Sequence, residues 1–202
     1  ANSITLTPGT ITVQVEGDWS NAAPWLCMGV MGGEGVTVTG MDPDSLQGDK
    51  AVCEVLARMG GRIRRDGGDY TARPGQLTPT VIDARNIPDL VPVLAAAAAA
   101  APGETRIVGA ARLRLKESDR LVTTAQTLNA LGGQVEETED GLIIHGRETL
   151  AGGTVDAQGD HRIAMAAAVA SVACESPVTV TGAQAVDKSY PTFWQELRGL
   201  GK

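Results

Sequence analysis

Three short segments share one local pattern and limit what the chain can fold into: Val36–Gly40 (VTVTG), Thr105–Gly109 (TRIVG) and Val178–Gly182 (VTVTG). Each is rich in β-favouring residues and stops at a glycine, so each predicts a strand. The closing glycines stand 69 and then 73 residues apart. A pattern recurring at a near-constant interval marks one supersecondary unit per copy.

Counting 22 residues back from those glycines reaches Asp18, Ile87 and Asp160, each near the start of an Ala-rich apolar stretch that predicts a buried helix. Six or seven residues beyond them stand Gln47, Lys116 and Lys188. Each precedes an amphipathic stretch that predicts a second helix: Asp49–Met59, Ser118–Leu131 and Tyr190–Leu200. The first two end in Gly60-Gly61 and Gly132-Gly133, a C-cap signal, and run into hairpin-like strands through Ile63 and through Val135 to Ile144. The predicted fold is α/β: one domain of three repeated helix-strand-helix-hairpin units, over about residues 11–78, 79–152 and 153–202, the third incomplete. A unit without its last strands leaves sheet edge unpaired, so those strands are expected from elsewhere in a longer chain. The missing initiator Met also reads as a fragment.

A hydrophobic content of 43% over 202 residues suffices for a buried core. Aromatics are only 3%, so that core must pack from Ala, Val, Leu and Ile at short distances between elements. The net charge of -7 argues against a nucleic-acid surface, and any anionic ligand must meet a local basic cluster. Cys27, Cys53 and Cys174 have no spacing of a metal site or redox pair, and read as buried thiols in a reducing, cytoplasmic compartment. No apolar run approaches the ~20 residues of a membrane span, and Ala1–Thr7 lacks the basic start and apolar core of a signal peptide.

The repeat brings polar signatures to equivalent points, the starts of helices. The first helices carry Glu16-Gly17-Asp18, Asn86-Ile87-Pro88-Asp89 and Gly159-Asp160-His161-Arg162; the second carry Gln47-Gly48-Asp49, Lys116–Arg120 and Lys188-Ser189-Tyr190. Helix N-termini expose unpaired NH groups and the positive end of the dipole, so a face where several converge favours anions. Lys116, Arg120, Arg162 and Lys188 make it a candidate for phosphate and carboxylate groups. Taken singly, each piece has a plainer explanation. Asp18, Asp49, Ser118 and Asn86 are ordinary N-cap types, Asp89 suits a helix dipole, and Lys116 with Arg120 reads equally as a solvated charge run. His161 and Arg162 read alone as a cap and a surface salt bridge, and His145 as a surface residue.

Taken together, Lys116–Leu121 (KESDRL) and Asp160–Ala166 (DHRIAMA) resemble signatures of the 5-enolpyruvylshikimate-3-phosphate synthases. Further similarity lies in Val15–Asp18, Gln47–Asp49, Ile87–Asp89 and Lys188–Pro191, in family order from about Pro8 to the end. The resemblance implies transfer of the enolpyruvyl group of phosphoenolpyruvate to the 5-hydroxyl of shikimate 3-phosphate, with release of phosphate, on the route to aromatic amino acids. No metal or organic cofactor is implied. The implied fold has two similar domains with helices inside and sheets outside; this chain resembles the C-terminal one, the N-terminal half being a missing partner without which no turnover is expected.

By resemblance, Arg120, Arg162 and Lys188 hold phosphoenolpyruvate, and Asp89 stands beside the shikimate 5-hydroxyl to accept its proton. Lys116 contacts the shikimate ligand or assists that proton movement, Glu117 resembles an acid of proton exchange at the methylene carbon, and His161 a supporting residue. Arg112 departs from the pattern, standing where some members have a neutral polar residue. Two other readings stay open here: a sister enolpyruvyl transferase acting on a UDP-sugar, and a noncatalytic anion-binding module.

Overall fold

The computed structural model describes residues 15–200. Residues 11–14 of the first predicted unit, the leader reading at Ala1–Thr7 and the start of the resemblance at Pro8 lie outside the described residues.

The first unit contributes α1 (Trp19–Met31), β1 (Val36–Val38), α2 (Val52–Arg58), β2 (Arg62–Asp66) and β3 (Asp69–Arg73). The second comprises β4 (Val81–Asp83), α3 (Val91–Ala99), β5 (Gly103–Val108), α4 (Arg120–Ala130), β6 (Val135–Glu137) and β7 (Leu142–Gly146). The third has β8 (Gly153–Asp156), α5 (His161–Ala170), β9 (Val178–Thr181) and α6 (Phe193–Gly199). Thus the repeated helix-strand-helix-hairpin order is present, with one addition. Units two and three open on a strand, β4 or β8, that pairs parallel with β5 or β9. These strands escape a pattern reading because they are so short. In β4 only Ile82 is buried between exposed Val81 and Asp83, and β8 begins at a glycine.

The sheets run β1-β3-β2, β4-β5-β7-β6 and β8-β9. Hairpin partners pair antiparallel, and β7 lies antiparallel to β5 with Ile107 opposite Leu142. Both Gly-Gly pairs close their helices as predicted. Gly60 and Gly132 take φ of 92° and 90°, while Gly61 N–H and Gly133 N–H reach back to the Leu56 and Leu128 carbonyls at 2.9 and 2.8 Å. That is the Schellman arrangement, and the left-handed turn needs the glycine.

The helices α1, α3 and α5 pack on one another in the middle. Every residue of α3 and α5 is buried. Their alanines allow the close approach that a core poor in aromatics requires, and the sheets cover the outside. The few aromatics tie α1 outward: Trp19 meets Tyr70 of β3 edge to face at 4.8 Å, and Trp25 meets Phe193 of α6 at 5.1 Å. Cys27 is buried while Cys53 and Cys174 are half-buried; all three are free, and burial raises each thiol above its ordinary range. No helix among the described residues is long and apolar enough to cross a membrane.

Candidate functional site

Because α5 is buried along its whole length, its first two residues, His161 and Arg162, are drawn into the interior with it. Charged side chains are retained at such depth only when partners compensate them. The cap of the same helix starts that compensation. Asp160, fully buried, accepts from Arg162 N–H at 2.9 Å through Oδ1 and from Ser118 Oγ at 2.9 Å through Oδ2.

Arg120 is the centre of the cluster. It is 2% exposed, and it occupies the first position of α4 because Asp119 caps that helix, accepting from Leu121 and Val122 N–H at 3.2 and 3.3 Å. Its guanidinium binds three carboxylates. Nε and Nη2 reach the two oxygens of Asp160 at 2.8 and 3.1 Å, Nη1 donates to Asp89 at 2.9 Å, and Nη2 to Glu117 at 2.7 Å. Two lysines complete the network: Lys116 stands 3.0 Å from Asp89, and Lys188 2.6 Å from the other Glu117 oxygen. Lys116, Arg120 and Lys188 therefore match Asp89, Glu117 and Asp160 one for one. Arg162 stands outside that balance. Its Nη1 donates to the Ser20 carbonyl at 2.9 Å, and its buried Nε has no partner among the described residues.

These contacts set the protonation states. The hydrogen bond and charge of Lys188, with Arg120, hold Glu117 down to about 2 against the raising effect of burial. Burial pushes Asp89 up, but Lys116, Arg162 and Arg120 outweigh it and the net shift is downward. His161 is lowered by burial and then by the Arg162 charge, which favours neutral imidazole. Glu117 thus has a folded pKa below its ordinary 4.5. Its contribution to stability is complete above that value and is lost as pH falls toward 2. Wild type is expected to lose more stability than Glu117→Gln between those pH values in urea titrations; equal losses would contradict the pairing.

The structure brings all the predicted residues, Asp89, Lys116, Glu117, Arg120, His161, Arg162 and Lys188, to one end of the domain, at the starts of α3, α4, α5 and the loop before α6. Asp18 shares that end: it caps α1 by accepting from Ser20 N–H, and its charge bears on Arg162. Several expectations change. Ser118 does not cap α4; Asp119 does, and Ser118 holds Asp160. Nor are Asp49 and Asn86 caps; Asp49 accepts from Ser20 Oγ and burial raises its pKa. Gln47 ties Trp19 N–H to the Gly17 carbonyl through its amide. His145 is partly exposed, within 4.0 Å of Glu104 and 3.8 Å of Glu136, and Arg112 is exposed. The carboxylate role of Asp160 and the part of Ser20 were not read from sequence. An Asp before a helix signals a cap, and nothing local indicates an arginine 40 residues away.

With an exposed lysine at one side and a buried arginine behind Glu117, the cluster can exchange a side-chain carboxylate for an incoming phosphate or carboxylate. Fold and cluster together define the class, an α/β domain of repeated units with a face of paired acids and bases at its helix starts. A family model described as EPSP synthase (3-phosphoshikimate 1-carboxyvinyltransferase) matches residues 2–197, and the chain belongs to that family. It is 49% identical over 191 residues to the 3-phosphoshikimate 1-carboxyvinyltransferase of Clostridium kluyveri, covering 95% of this chain and 45% of that protein. The protein of the same name from Clostridium acetobutylicum is 48% identical over 188 residues, covering 93% and 43%. Among solved structures, an EPSP synthase from Acinetobacter baumannii superimposes with a TM-score of 0.78 at 33% identity, over 93% of this chain and 46% of that one. The enolpyruvyl transferase NikO from Streptomyces tendae has a TM-score of 0.73 at 23% identity, over 94% and 44%, a likeness of fold. The chain spans about half the length of the curated relatives it matches.

Proposed function

We propose that the chain forms the C-terminal half of a 3-phosphoshikimate 1-carboxyvinyltransferase, which transfers the enolpyruvyl group of phosphoenolpyruvate to the 5-hydroxyl of shikimate 3-phosphate and releases phosphate. The observation that carries this reading is the convergence of Asp89, Lys116, Glu117 and Lys188 on the buried Arg120, in a chain of this family. The family match favours it over the UDP-sugar transferase.

In this reading Lys188, Arg162 and Arg120 take the carboxylate and phosphate of phosphoenolpyruvate, and Asp89, ionised at neutral pH, accepts the proton leaving the attacking hydroxyl. Lys116 holds Asp89 and the shikimate ligand. Glu117 is the proton-exchange group at the methylene carbon. Once phosphate draws Lys188 away, Glu117 loses the hydrogen bond that most lowers its pKa and gains proton affinity as the ligand arrives. His161 stays neutral as a supporting wall. The opposite wall, with the remaining substrate contacts, belongs to the N-terminal half.

Titrating the isotope-labelled chain with phosphoenolpyruvate tests the binding part. Amide resonances of Lys116–Arg120, His161, Arg162 and Lys188 are expected to move together with one weak affinity. Shifts confined to other surfaces would contradict the reading.

A further inference from the structure

Among the described residues the Arg162 guanidinium makes one hydrogen bond, to a main-chain carbonyl inside a helix. Such a carbonyl is ordinarily occupied. Residue i of an α-helix donates its N–H to the carbonyl of residue i−4, so the Ser20 carbonyl is the acceptor due to residue 24. Residue 24 is Pro24, buried within α1 and without an N–H to give. Its ring also crowds the carbonyl of the residue four before it. The proline therefore leaves Ser20 O without the donor that position 24 would ordinarily supply. Arg162 Nη1 fills the vacancy at 2.9 Å across the packed pair α1 and α5.

We infer that Pro24 is a positioning residue for Arg162. It acts through the Ser20 carbonyl, at a cost in helix stability, to orient a guanidinium that the proposed function assigns to substrate anion. The inference rests on that assignment. Several further features agree with it. Ser20 is half-buried, a setting in which a main-chain acceptor gains from a donor, and Arg162 supplies one from outside the helix of Ser20. A proline in a helix interior is strongly unfavourable relative to alanine, so its presence in a fully buried segment calls for a compensating contact. The same residue is anchored a second way, since Ser20 Oγ donates to the half-buried Asp49, whose charge bears on Arg162. Ser20 thus presents its carbonyl to the arginine and its hydroxyl to an acid. Arg162 Nε remains buried without a protein partner among the described residues.

The test compares wild type, Pro24→Ala and Arg162→Gln in two measurements: thermal unfolding, and affinity for phosphoenolpyruvate by calorimetry at fixed ionic strength. In Pro24→Ala the new N–H competes for Ser20 O. The variant is expected to melt about 5 °C higher and to bind about tenfold more weakly. A residue needed only for folding would move both readouts the same way, so opposite movement is the signature. Unchanged affinity in Pro24→Ala, with weakened binding in Arg162→Gln, overturns the inference and leaves the site assignment standing. Unchanged affinity in Arg162→Gln overturns the assignment itself. Should Arg162→Gln fail to fold, Arg162→Lys, which keeps charge and loses the fork, serves as the same arm.

Discussion

Arg120→Ala is expected to lose about 3–5 kcal/mol of folding stability, the largest stability effect of any single change at this face. The guanidinium is buried against Asp160, which is itself fully buried, and it also binds Asp89 and Glu117. Removing it leaves a carboxylate in the interior with, among the described residues, only the Ser118 hydroxyl and the Arg162 main-chain N–H as donors. Much of the loss is the penalty of that uncompensated charge. Two comparisons separate charge from geometry. Arg120→Lys keeps the charge but cannot reach three carboxylates at once, and is expected to lose about half as much. Arg120→Ala with Asp160→Asn removes the stranded charge and is expected to recover part of the deficit, which a double-mutant cycle in urea measures. A loss below about 1 kcal/mol for Arg120→Ala would place the arginine among surface ion pairs and contradict the buried network.

Asp89→Asn is expected to give the largest functional effect, a fall of about 10²–10⁴-fold in turnover once the chain is combined with a separately made N-terminal half. Asparagine matches the size of aspartate and can still accept from Arg120 and Lys116, so the cluster keeps its shape. It cannot take up a proton. The Michaelis constant for phosphoenolpyruvate is expected to stay within a few-fold, because the anion is assigned to Arg120, Arg162 and Lys188. A large rise in that constant with undiminished turnover would mean that Asp89 binds rather than accepts a proton.

What could be read from the sequence depends on how local the cause is. The repeat was legible because each copy carries its own signals: a strand closed by a glycine, an apolar Ala-rich helix, a Gly-Gly cap. The opening strands β4 and β8 were not, since three or four residues leave no period to detect and their parallel pairing depends on the strand beyond the crossover helix. The motifs carrying Lys116, Arg120, His161 and Arg162 were equally visible as strings of charge at helix starts. Their arrangement was not visible. Arg120 finds Asp89 31 residues earlier and Asp160 40 residues later, and only the packing of α3, α4 and α5 sets those distances. The exchange of roles between Ser118 and Asp119 has the same origin. Both are good caps, and the one with a long-range partner in Asp160 leaves the cap to its neighbour. Pro24, one proline in an apolar run, carries no local sign of its effect. Its consequence is felt at Arg162 through the Ser20 carbonyl, which lies 142 residues before that arginine.

Phosphate release from shikimate 3-phosphate and phosphoenolpyruvate, measured with the purified chain, with an N-terminal half, and with both together, is the most direct test of the proposed function. Catalysis here requires two anions oriented against each other in a site closed to water, and losses in such a cooperating site exceed the sum of the contacts removed. The expected result is no turnover by either part alone and enzyme-like release from the mixture, lowered about 10²–10⁴-fold by Asp89→Asn. Turnover by the chain alone at a rate typical of enzymes, or none from a mixture that binds phosphoenolpyruvate, would contradict it. The first would make the opposite wall dispensable, and the second would leave a noncatalytic anion-binding domain.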